Sequence, residues 1–240
     1  MKTLKSTRGE TGFTLVEIAV VLVIIGLLLG GILRGQELIK SARVRSLANQ
    51  ISGIQAAYFG FVDRYQRQPG DWQRTGAALA IPGVANGGNG DGRIAGGDAG
   101  PWDEALAVWE HLSRAEFIQG AYRGGTGQPS ADALGLAPRN AFGGLMFLFE
   151  LAGYGHDEGT PPARLGLSLG TNIPVEILAE LDLKLDDGLP LTGALRQAPT
   201  QGAALAPFGV SHPDCVDRTA VPAVYNITGR HQNCAGVYLF

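Results

Sequence analysis

The feature that most limits what this chain can become lies near its start. From Phe13 to Leu33 run 21 residues with a single charge, Glu17. As a helix they reach roughly 31 Å, about the thickness of one bilayer core. Lys2, Lys5 and Arg8 precede the run, and Arg34 and Lys40 follow it. Basic leader residues favour the cytoplasmic side, so residues 1–12 are expected to stay there and the rest to lie across the membrane. A carboxylate near the start of a spanning helix is costly in lipid and needs a partner. The positive end of the helix dipole helps it in the first turn.

An ordinary secretory signal has an apolar region of about 7–15 residues followed by a small-residue cleavage site. This run is longer, and Gly30-Gly31 fits such a site poorly. A basic leader ending at Gly12, then Phe13-Thr14-Leu15-Val16-Glu17 and an unbroken apolar stretch, resembles the N-terminus of type IV prepilins and of the pseudopilins of type II secretion. The resemblance implies cleavage between Gly12 and Phe13 by a membrane prepilin peptidase and N-methylation of Phe13. It also implies that Glu17 pairs with the new amine of a neighbouring subunit and sets register during assembly. Opposite charges within ~4–6 Å favour both ionised forms. The implied partners are copies of the chain, other pilins or pseudopilins, the peptidase and an inner-membrane assembly platform. Many pilins carry a proline soon after the apolar run. None occurs here between Met1 and Arg67, so a proline kink is not expected, although Gly30, Gly31 and Gly35 soften the helix.

Removal of residues 1–12 leaves 228 of the 240 residues. Beyond residue 33 the helical pattern continues. Leu47, Ile51, Ile54, Tyr58, Phe61 and Tyr65 recur at steps of three and four, one apolar face of a helix. Pro69-Gly70 is a stop signal. The expected division is a leader (1–12), a transmembrane or filament-core half of the helix (13–33), an amphipathic half (34–67) and a globular domain (68–240). The fold class expected from the resemblance is α+β: a long N-terminal helix packed on a small antiparallel sheet, with inserted helices and glycine-rich loops.

Within the turn-rich stretch 69–100, the run Asn86-Gly-Gly-Asn89-Gly-Asp91-Gly92-Arg93-Ile94 has the spacing of the middle of an EF-hand calcium loop. Asn89, Asp91 and Asp98 are the candidate calcium ligands. The first-ligand position holds Gly87 rather than Asp, and calcium needs about six to eight oxygens. The alternative is a glycine-rich loop with solvated acids. Trp102 to Phe117 reads as a helix, with Asp103 and Glu104 in its first turn. Pro69-Gly70-Asp71, this loop, Trp109-Glu110-His111-Leu112 and Ile118-Gln119-Gly120-Ala121-Tyr122 resemble, in their order, a subgroup of bacterial pilin-like proteins.

Further on, Gly143–Leu151 and Arg164–Leu169 read as strands. Asn172 is expected to cap a helix with Pro174 in its first turn and Gly188 at its end. Asp182, Asp186 and Asp187 read as a solvated acidic turn, with a second cation site as the alternative. Ala220–Thr228 and Ala235–Phe240 read as strands. An exported domain lies in an oxidising compartment, where Cys215 and Cys234 are free to pair. A disulfide-bounded C-terminal region is also what the pilin resemblance implies.

Net charge is −3 and no basic cluster follows the helix, which argues against nucleic acid as the main ligand. Glycine and proline make up about a fifth of the chain, but an apolar fraction of 45% is too high for a disordered one. His111, His156, His212 and His231 are scattered, with no pair at metal-ligand spacing on one helix. No nucleophile elbow or phosphate-binding loop occurs, so the chain is not expected to be an enzyme. The expected function is a structural subunit of a type IV pilus. The alternatives are a pseudopilin of type II secretion and a signal-anchored periplasmic binding module.

Overall fold

The computed structural model describes residues 14–97, 100–130, 134–157, 159–199 and 211–240. It is an α+β fold with a long apolar N-terminal helix, as the resemblance implies. Helix α1 spans Leu15–Tyr65 without a break. It ends where Gln66 takes a left-handed φ of 54°, with the Gln66 amide closing the last turn on the Val62 carbonyl. The chain forms two compact units, one up to Ala42 and the other Arg43–Phe240.

In the first unit, the most apolar 18-residue window of α1 has a mean hydropathy of 2.8 and none of it is buried. Leu15, Leu22, Leu27 and Leu33 are all exposed. In length and composition this helix suffices to cross a membrane.

In the second unit, the stripe read from the sequence goes into the core. Leu47, Ile51, Ile54, Tyr58 and Phe61 are buried, joined by Val44, Ala48 and Ala57. Burying the valine, leucine, isoleucine and phenylalanine side chains stabilises by about 1.5–3 kcal/mol each. Phe61 stacks on His111 at 6.1 Å and meets Trp72 and Phe117 edge-on, and Tyr58 meets Phe240 at 5.7 Å. Gly60 gives Phe117 its room: a Cβ there would come within 2.9 Å of the ring.

Helix α2 (Arg74–Ala80) lies in the stretch read as turns only. Its seven residues are too few to register as an amphipathic period. Helix α3 (Asp103–Arg114) falls inside the expected range. The strands are β1 (Phe147–Leu151) and β2 (Arg164–Ser168), then, after helix α4 (Val175–Leu185), β3 (Leu195–Gln197), β4 (Val216–Asp217), β5 (Val224–Tyr225) and β6 (Gly236–Leu239). Four form an antiparallel sheet in the order β1-β2-β6-β3, and β4 and β5 form a separate pair. The three-residue β3 was not expected; it is too short to show alternation.

Three local expectations need correction. Asn172 does not cap α4. It sits at φ 67°, and its amide donates to Asn233 Oδ1 at 3.1 Å. Pro174 stands at the cap instead, with Ile177 and Leu178 donating to its carbonyl. The strand expected over Ala220–Thr228 shrinks to Val224–Tyr225. Pro222 has no amide for a ladder, and Asn226 turns the chain by accepting from the Gly229 amide. The Asp182–Asp187 turn is not simply solvated: Asp182 is completely buried.

Candidate functional site

At the N-terminal end, Thr14 and Glu17 form a reciprocal pair. Glu17 Oε2 accepts from the Thr14 amide and from Thr14 Oγ1, both at 2.8 Å. The Glu17 amide donates to Thr14 Oγ1 at 3.3 Å. This is a capping box: each side chain satisfies a backbone amide that the first helical turn leaves open. Thr14 escaped the sequence reading, yet Thr-x-x-Glu before an apolar run is a recognisable helix start. Gly12 and Phe13, the cleavage pair, lie outside the described residues. Across residues 14–33 Glu17 is the only ionisable side chain. Among the described residues its partner is its own helix cap.

The Asn-Gly loop is built around carboxylates that come from elsewhere. Asp71 Oδ1 accepts from the amides of Gly90 and Asp91 at 2.8 and 3.0 Å, and Asp71 Oδ2 accepts from Gly92 at 3.0 Å. From α3, Glu104 accepts from the Asn89 and Ala95 amides, and Glu110 accepts from those of Ala85, Asn86 and Gly124. His111 accepts from the Gly70 amide through Nδ1 and meets the Asn86 carbonyl through Nε2, each at 3.0 Å. The glycines let the backbone come this close. A Cβ on Gly88 would sit 2.5 Å from Glu104 Oε1, and one on Gly87 2.5 Å from the Trp72 carbonyl. Burial raises the pKa of Glu104 above the usual carboxylate range and lowers that of His111. Because Nδ1 accepts from the Gly70 amide, the ring proton sits on Nε2 and donates to the Asn86 carbonyl.

Of the calcium candidates, the structure brings Asn89 and Asp91 together. Asn89 Oδ1 accepts from the Asp91 amide at 2.8 Å, Asp91 Oδ1 from the Arg93 amide at 2.9 Å, and Asp91 Oδ2 from Asn89 Nδ2 at 3.1 Å. These oxygens face donors, and the loop amides surround the carboxylate of Asp71. That inner lining is already taken up by the chain's own Asp71. Asp98 lies outside the described residues.

At the other end, Cys215 and Cys234 are joined in a disulfide. The bond brings together two histidines that the sequence reading left scattered. Each stands three residues before a bridged cysteine, in His212-Pro-Asp-Cys215 and His231-Gln-Asn-Cys234. Their rings stack at 4.6 Å. That repeated spacing was the available signal. Nearby, the Tyr225 hydroxyl donates to Asp182 Oδ2 at 2.7 Å. Burial pushes the Asp182 carboxyl up to about 7 and holds the Tyr225 hydroxyl well above its ordinary value. Asp186 and Asp187 are occupied too: Asp186 accepts from the Leu195 amide, and Asp187 from the Leu189 amide and the Thr192 hydroxyl.

Among known proteins, residues 7–33 match the prokaryotic N-terminal methylation motif. No curated protein and no solved structure matches the chain.

Proposed function

We propose that this chain, which carries the N-terminal methylation motif characteristic of type IV pilins and pseudopilins, is a structural subunit of a type IV pilus. In this reading it is held in the inner membrane by α1 before assembly and then packed through α1 into the fibre. The observation that carries the reading is the wholly unburied apolar window of α1, whose single carboxylate, Glu17, stands at its start. Such a surface requires lipid or other copies of the same helix around it. The domain from Arg43 onward has its own core and faces outward from the fibre. The chain is then a substrate of a prepilin peptidase rather than a catalyst. The same motif fits a pseudopilin of type II secretion; the cysteine pair near the end of the domain favours the pilus.

The test is the intact mass of the protein from native membranes. Loss of residues 1–12 with gain of one methyl group is expected. A mass that retains the leader would instead make the chain a signal-anchored module. Deletion of the coding sequence then separates the filament readings: lost surface fibres support the pilus, and lost secretion with fibres intact supports the pseudopilus.

A calcium ion held by Asn89, Asp91 and Asp98 is a separate proposal, supported by the Asn-x-Asp-Gly spacing. Calorimetric titration with calcium chloride tests it. Heat of binding that disappears in Asp91→Ala supports it, and the absence of heat ends it.

A further inference from the structure

We propose that His212, Asp214 and His231 form a zinc site on the domain surface. Their ligand atoms all lie within 4.8 Å of one another. Asp214 Oδ2 is 3.9 Å from His212 Nδ1 and 3.9 Å from His231 Nε2. Two imidazoles and one carboxylate are a donor set that zinc takes readily, leaving a fourth position for water.

In a tetrahedral zinc site with bonds of about 2.0–2.2 Å, ligand atoms stand roughly 3.3–3.5 Å apart. The arrangement here is slightly open. The side chains are free enough to close it, with His212 44%, His231 27% and Asp214 64% exposed. Closing it requires side-chain rotation that unstacks the two imidazole rings, now 4.6 Å apart, on a backbone that already holds the three residues together.

That backbone is braced on every side. The Cys215–Cys234 bond ties the two segments together. The His212 amide donates to the Asn233 carbonyl at 3.1 Å and the Cys215 amide to the His212 carbonyl at 3.1 Å. Asn226 Nδ2 donates to the Asp214 carbonyl at 3.1 Å, and the Val175 amide to the His231 carbonyl at 2.9 Å. The three donors therefore remain neighbours without a metal, and binding orders little more than their side chains. One contact gives way on binding: the Asp214 amide donates to His212 Nδ1 at 3.3 Å, a long bond that a zinc ion at that nitrogen replaces.

The test uses the full chain, purified in detergent without a histidine tag and titrated with zinc chloride. One zinc per chain is expected, with a rise in melting temperature that EDTA reverses. His231→Ala should weaken zinc binding at least tenfold while leaving the metal-free melting temperature near that of the wild type. Asp214→Asn should weaken it less. Titration without heat, or undiminished affinity in His231→Ala, overturns the site. A second measurement needs no variant. Zinc should protect His212 and His231 from diethyl pyrocarbonate, and equal labelling with and without zinc also overturns the proposal.

Discussion

His111 and Asp182 are both buried and both perturbed, but they tilt stability in opposite directions with pH. The His111 pKa is depressed by burial. Below about pH 6.5 the unfolded chain takes up a proton that the folded chain refuses. Stability contributed by neutral His111 is therefore lost as pH falls through its depressed folded value. Asp182 is raised to about 7. Its folded form keeps a proton that the unfolded chain has released, so its contribution is present below about pH 4 and lost as pH rises through 7. The two slopes partly cancel in the wild type from about pH 6.5 down to the depressed folded value of His111. Asp182→Asn keeps an acceptor for the Tyr225 hydroxyl and removes the titration. Its melting temperature should rise more steeply with pH over that window than the wild type's, and should exceed it at pH 8. Parallel pH profiles for the two proteins would contradict this.

At the scale of elements, α3 is a latch as well as a packing helix. Leu106, Trp109 and Leu112 face the core, while Glu104, Glu110 and His111 reach out to hold the loop from Ala85 to Ala95. Glu110→Ala strips acceptors from the amides of Ala85, Asn86 and Gly124. A lost hydrogen bond to a charged acceptor costs about 1.5–3 kcal/mol, so a loss at or above that range is expected, although water will satisfy the less buried amides. Limited proteolysis should then cut first between residues 84 and 96. A cut elsewhere would show that the loop is held by other means. The apolar face of α3 and the stripe on α1 were legible because a 3.6-residue period survives in any long helix. The latch was not. Glu104 read only as a favourable charge in the first turn and His111 as one of four scattered histidines, and the tertiary approach of glycines 87 and 88 is what gives these side chains a loop to hold. Short elements escaped for a related reason. The α2 and β3 segments hold fewer residues than a period needs, and Asn172 read as a cap because sequence does not reveal that Asn233 claims its amide.

For the whole molecule, the methylation motif was legible from about thirty residues at one end, where a basic leader, Gly12-Phe13 and a single acid open a lipid-length apolar run. The His212–His231 pairing was hidden until the disulfide closed the distance between them. Glu17 joins the scales. In the single chain it caps its own helix, so any pairing with a neighbour's terminal amine exchanges one set of bonds for another. Glu17→Ala should leave the fold of residues 43–240 intact by circular dichroism and abolish incorporation into fibres. Normal fibres from the variant would contradict the filament reading.

The strand order carries a consequence in time. β6 lies between β2 and β3, both of which precede it in the chain, and it shares one core with the second half of α1. In the orientation proposed above, with the domain exported behind the N-terminal helix, β2 and β3 would reach the far side of the membrane before the strand that joins them. They must wait, unpaired with each other, until residues 236–239 arrive. In that orientation the four-stranded sheet closes only after Leu239 has crossed, so folding of the domain follows its transport.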